Sequence, residues 1–84
     1  MIFQLCSVFD RQSRQYSAPF TSHTEETATR DFIRAVRDSK GSPDKFPQDY
    51  ELFRLGLFDS ETGEVSCPEK QPTFLAAGSS FIEE

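Results

Sequence analysis

The stretch ELFRLGLFDSETGEV, residues 51–65, constrains the fold more tightly than any other part of the chain. Its first eight residues are dominated by leucine and phenylalanine, carry no proline and are bounded by turn formers, the pattern of a sheet strand. Alternation places Phe53, Leu55 and Leu57 on one face, read as core, and Leu52, Arg54, Gly56 and Phe58 on the other. DSETGEV then fits a hairpin loop, with a type I turn from Asp59 and Gly63 in the left-handed conformation of a bulge before Val65. An antiparallel sheet follows.

The other segments are read around that hairpin. IFQLCSVF, residues 2–9, suits a strand covered on most of both faces. DRQSRQ reads as a turn, and Pro19 in YSAPF confines that piece to an edge or a loop. SHTE, from Ser22 to Glu25, fits a capping box and predicts a helix to about Lys40, stopped by Gly41 and Pro43. Ala28, Phe32, Ala35 and Val36, widened by Ile33, form its apolar stripe. FPQDY reads as a loop pinned by Phe46 and Tyr50. The expected fold is a small α+β domain, an antiparallel sheet of three to four strands with one amphipathic helix packed on one face. One domain spans residues 1–84, with its core in 2–66 and a less defined segment in 68–84.

With 84 residues the chain is near the size at which self-association often supplements a single core, so a homodimer is expected. Nine phenylalanines and no tryptophan predict a phenylalanine-rich core. The net charge of −5 and pI near 4.8 set the molecule as a whole against a phosphate backbone, so any nucleic-acid site must be a local patch. Cys6 and Cys67, far apart, lack the dense spacing of a secreted disulfide scaffold and are expected as reduced thiols. MIFQLCSVFD has no basic region before its apolar run, and no run reaches the roughly 18–20 apolar residues of a membrane span. A soluble intracellular protein without membrane contact is the expectation.

No enzyme is expected. His23 lies in the proposed helix cap without a triad partner, and no Walker loop, dinucleotide fingerprint, CxxC or HExxH occurs. No cofactor or metal follows from the residues. Arg30, Arg34 and Arg37, at spacings of four and three and extended by Lys40, line one helix edge that can meet phosphates; the bland reading is a solvated face shared with Asp31 and Asp38. Arg54, a charge inside an apolar strand, must reach solvent or pair with a carboxylate such as Asp49 or Glu64. One helix covers one sheet face, so the face with Arg54 and Phe58 is expected to lie open, to be covered by a second copy or by stacked bases of single-stranded DNA.

FPQDYELFRLGLFDSETGEV also resembles the small nonstructural protein of microviruses, the single-stranded DNA phages of the gokushovirus type. The block runs Pro-x-Asp-Tyr, Leu-Phe-Arg-Leu-Gly, Phe-Asp and Thr-Gly, preceded by AVRD at Ala35–Asp38, so the resemblance covers roughly residues 2–66. Its matched positions are Pro47, Asp49, Tyr50, Leu52, Phe53, Arg54, Gly56, Phe58, Asp59 and Gly63; nothing matches after Pro68. The resemblance implies a protein of the infected bacterial cytoplasm, absent from the virion, with a DNA-binding role in viral DNA replication and no catalytic residues to carry over. The resulting expectation is noncatalytic binding of single-stranded DNA through Arg30, Arg34, Arg37, Lys40, Arg54 and Phe58. Its rival is a regulator that engages the viral replication protein or a host factor without touching DNA.

Overall fold

The computed structural model describes residues 1–38 and 49–78. In chain order these form β1 (Ile2–Asp10), β2 (Gln15–Tyr16), β3 (Phe20–Ser22), α1 (Glu25–Asp38), β4 (Tyr50–Asp59), β5 (Val65–Ser66) and β6 (Thr73–Ala77). All six strands join one antiparallel sheet. This corrects the expected α+β domain with three to four strands: six strands against one helix make the chain predominantly β. The reason lies in β1 and β4, nine and ten residues long, each of which accepts two short partners end to end along its outer edge. β3 pairs with Gln4–Cys6 and β2 with Phe9–Asp10, while β5 pairs with Leu57–Phe58 and β6 with Glu51–Arg54. Strands of two or three residues leave no periodicity to read.

β1 and β4 pair along their whole length, from Ile2↔Asp59 to Asp10↔Tyr50, with one irregularity: Leu5 faces Gly56 and Cys6 faces Arg54, leaving Leu55 without a partner. A bulge of this kind bends the strand and shifts the side-chain alternation by one residue. Before the bulge, Tyr50, Leu52 and Arg54 share a face; after it, Leu57 and Asp59 continue that face and Phe58 joins Phe53 on the other. A second bulge, opposite Leu52/Phe53, leaves Leu75 of β6 unpaired.

The face of Leu52 is the one that α1 covers. Ala28, Phe32 and Val36, at i, i+4 and i+8, are buried against Cys6, Leu52 and Ala76, with Val8, Phe20, Tyr50 and Leu75 packed around them. The assignment of Phe53 to the core and Leu52 to the open face is therefore reversed. Nor is the core rich in phenylalanine among the described residues: Phe20 and Phe32 enter it, whereas Phe3, Phe9, Phe53, Phe58 and Phe74 lie outside the core cluster. Ala35, expected in the stripe, is exposed.

The helix starts two residues later than a cap at Ser22 implies. Ser22 pairs with Gln4 as the last residue of β3, so Thr24 takes the cap: the Thr27 N–H donates to its Oγ1 at 3.0 Å. Glu25 and Glu26 place negative charge in the first turn, where the helix dipole favours it. Gly41, Pro43, Phe46 and Pro47, named in the sequence reading, lie outside the described residues.

The two hairpin turns are built alike. At Asp59 the carboxylate accepts from the Glu61 N–H at 2.9 Å and the carbonyl from the Gly63 N–H at 2.7 Å, with Gly63 at φ 78°. At Asp10 the carboxylate accepts from the Gln12 N–H at 2.9 Å and the carbonyl from the Arg14 N–H at 2.7 Å, with Arg14 at φ 59°. Backbone hydrogen bonds, from Glu61 foremost, hold the Asp59 carboxyl below its ordinary range. Arg14 occupies without glycine the left-handed conformation that Gly63 occupies with it.

Two substitutions of opposite sign are expected. Arg14→Gly relieves the left-handed strain and should raise the unfolding free energy by about 0.5–1 kcal/mol. Gly56→Ala drives a Cβ into the Ser66 carbonyl oxygen of β5 and should lower it by about 1–3 kcal/mol. Urea unfolding followed by circular dichroism measures both.

Candidate nucleic-acid interface

Directly paired residues of antiparallel strands share a face, so the register sorts the aromatics. Phe9 pairs with Tyr16 across β1 and β2, Ser7 with Phe53 across β1 and β4, and Phe53 with Phe74 across β4 and β6. All lie on the face opposite α1. Tyr16, Phe9, Phe53 and Phe74 thus contribute one ring from each of four strands to a strip running across the sheet. Ring centroids are 4.8 Å apart for Phe9–Tyr16, 5.8 Å for Tyr16–Phe53, 6.2 Å for Phe9–Phe53 and 5.7 Å for Phe53–Phe74, in tilted or edge-on geometry. Such pairs stabilise the sheet by about 0.5–1.5 kcal/mol each beyond their area burial. Even so, Tyr16 and Phe74 keep 45% and 52% of their surface exposed. Phe3, Phe58 and His23 form a second group on this face, with Phe3 5.0 Å from His23 and 6.5 Å from Phe58.

Charge is uneven around the strip. Arg11 and Arg14 are exposed in the turn that joins Phe9 to Tyr16, and among the described residues neither makes an ion pair. Glu51, opposite Phe9 in the ladder, places a carboxylate on the same face. The aromatic strip therefore ends in a basic turn although the whole chain carries −5.

Among the described residues expected to form the site, the sheet separates Phe58 from the three arginines Arg30, Arg34 and Arg54. Arg30 and Arg34 are exposed on α1, on the helix side of the sheet. Arg37 is a helix residue whose side chain lies outside the described residues, as does Lys40. Phe58 lies on the open face, beside Phe3 and across from Val65. Arg54 lies on the helix side, because the bulge at Leu55 separates its face from that of Phe58. Its Nη1 donates to Glu25 Oε1 at 2.7 Å and reaches Gln4 Oε1 at 3.4 Å, and its Nη2 pairs with Glu69. Neither Asp49 nor Glu64, the carboxylates considered from the sequence, is its partner. The side chain is only 17% exposed, and its Nε finds no acceptor among the described residues. Arg54 thus ties β4 to the start of α1 and to the loop before β6, and both ends of its guanidinium are occupied. Beneath it, burial first and Glu25 second raise the Cys6 thiol above its ordinary value, with Arg54 opposing.

Sequence reasoning missed Phe9, Tyr16, Phe53 and Phe74 as a group, and with them Arg11 and Arg14. A signal was present in the odd positions of β1, where Phe3, Leu5, Ser7 and Phe9 alternate away from Cys6 and Val8. What hid the strip was the parity shift in β4.

The profile of a family described as Phage ORF5 protein matches residues 3–81. A curated relative, Protein ORF5 of Chlamydia phage 1, is 30% identical over 82 residues, covering 92% of this chain and 85% of the relative. No solved structure matches.

Arg54→Ala removes one cation from between two partly exposed carboxylates and leaves space beside the core. It is expected to lower the unfolding free energy by about 1–3 kcal/mol. Glu69→Gln, at a residue with 41% of its side chain exposed, should cost less than about 1 kcal/mol. Equal stability of Arg54→Ala and the parent in urea would contradict a bracing role.

Proposed function

The chain belongs to the phage ORF5 proteins, and from that premise we propose that it is a noncatalytic nonstructural protein of a microvirus-type phage that supports viral DNA replication by binding single-stranded DNA. Its place of action is the cytoplasm of the infected bacterium. The observation that carries this reading is the strip Tyr16–Phe9–Phe53–Phe74, two exposed rings flanking two half-buried ones, with arginines at one end that make no ion pair among the described residues. Unpaired bases stack on such rings at about 1–3 kcal/mol per base, whatever their sequence, while the arginines meet phosphate. Duplex DNA buries the π faces of its bases and gains nothing from the strip. Arg30 and Arg34, across the sheet, are left outside this contact.

The net charge of −5 favours a second reading, in which the open face is covered by another copy of the protein or by a replication protein of the phage or host. The two readings separate in one series. Fluorescence anisotropy with a labelled oligothymidylate should show binding at low salt that weakens as salt rises. Tyr16→Ala and Phe74→Ala, at half-exposed positions, should each weaken it by about tenfold, and replacing Arg11 and Arg14 by alanine should flatten the salt dependence. Absence of binding at low salt, together with sedimentation as a dimer that Phe74→Ala dissociates, would sink the DNA reading in favour of the second.

A further inference from the structure

A groove of about 750 Å³ lies on the opposite side of the sheet from the aromatic strip. One wall is a flank of α1, with Glu26, Thr29, Arg30, Ile33 and Arg34; the facing residue is Leu75, the unpaired bulge residue of β6. β6 is an edge strand: among the described residues it pairs with β4 alone, so its outer backbone groups have no strand partner. Edges of this kind are normally guarded by charge or proline. TFLAA has neither.

From this juxtaposition we propose that the groove takes an extended peptide of a partner protein, added as a strand to the outer edge of β6. The backbone of the peptide pairs with β6, and every second side chain enters the groove, an established mode of peptide recognition. Ile33 and Leu75 receive an apolar side chain. Arg30 and Arg34 receive two carboxylates at i and i+2: among the described residues they form no ion pair, and they stand four residues, about 6 Å, apart along the helix axis. Alternate side chains of a strand are about 6.6–6.8 Å apart, so the two spacings match. A polynucleotide fits less well. An unpaired strand edge asks for peptide N–H and C=O groups in register with its own, which a sugar–phosphate backbone does not carry. The partner motif is therefore an extended segment with an apolar residue and two acidic residues on one side. The site is separate from the DNA reading and survives its failure.

The probe is an acetylated octapeptide that alternates threonine with valine, isoleucine, glutamate and glutamate, titrated into the isotope-labelled full chain by NMR. Saturable shifts are expected at the β6 amides and along the Glu26–Arg34 flank, with slowed hydrogen exchange in β6. The analogue with lysine for both glutamates should bind at least about tenfold more weakly, and R30E/R34E should reverse that preference while helical circular dichroism stays unchanged. Equal binding of the two peptides, shifts confined to the aromatic face, or no saturable shift would overturn the proposal. So would displacement of the peptide by oligothymidylate from the β6 amides, which would assign the groove to nucleic acid, or β6 amides already protected in a dimer of the chain alone.

Discussion

The pairing of β1 with β4, and the single extra residue within it, sets everything else. Two strands of nine and ten residues give the sheet its length, and each offers an outer edge long enough for two short strands. Leu55 has no partner opposite, so the alternation of β4 reverses midway. Without that reversal Phe58 would sit on the helix side with Leu52 and Arg54. With it, Phe3, Phe9, Phe53 and Phe58 all gather on the face away from α1, and Leu57 moves to the side of the core. One inserted residue thus separates a modest core under the helix from an aromatic surface.

That separation explains how an 84-residue chain stands with so few fully buried side chains. Phe32, Leu52 and Val36 form the larger part of a thin core under a single helix. The edge-on ring contacts on the far face add cohesion across four strands. Arg54 adds a tie of another kind, joining the helix start and the loop before β6 to the central strand through Glu25 and Glu69. The arginine expected at the surface for a ligand is spent on holding three segments together.

Legibility from sequence followed the range of the interactions. The helix stripe Ala28–Phe32–Val36 and the Asp59–Gly63 turn depend on neighbours within a few residues, and both are readable there. Ser22 failed as a cap because a partner 18 residues away, Gln4, claims it for β3, and Thr24 inherits the role. The partners of Arg54 lie 29 and 15 residues distant, beyond any local pattern. Faces were misassigned for the same reason, since a bulge is a property of two strands together and β4 alone reads as unbroken alternation. The family resemblance in residues 46–65 pointed correctly to the phage ORF5 proteins, while Phe58, grouped with Arg54 from the alternation, lies across the sheet from it.

The central claim is that the face away from the helix is the working surface. Its most direct test is NMR of the aromatic side chains, with ¹³C-labelled phenylalanine and tyrosine, during titration with oligothymidylate at low salt. The account predicts upfield ring-current shifts at Tyr16, Phe53 and Phe74, with Phe32 in the core unmoved. Shifts absent from these rings while the amides of Arg30 and Arg34 respond would place the contact on the helix and contradict it.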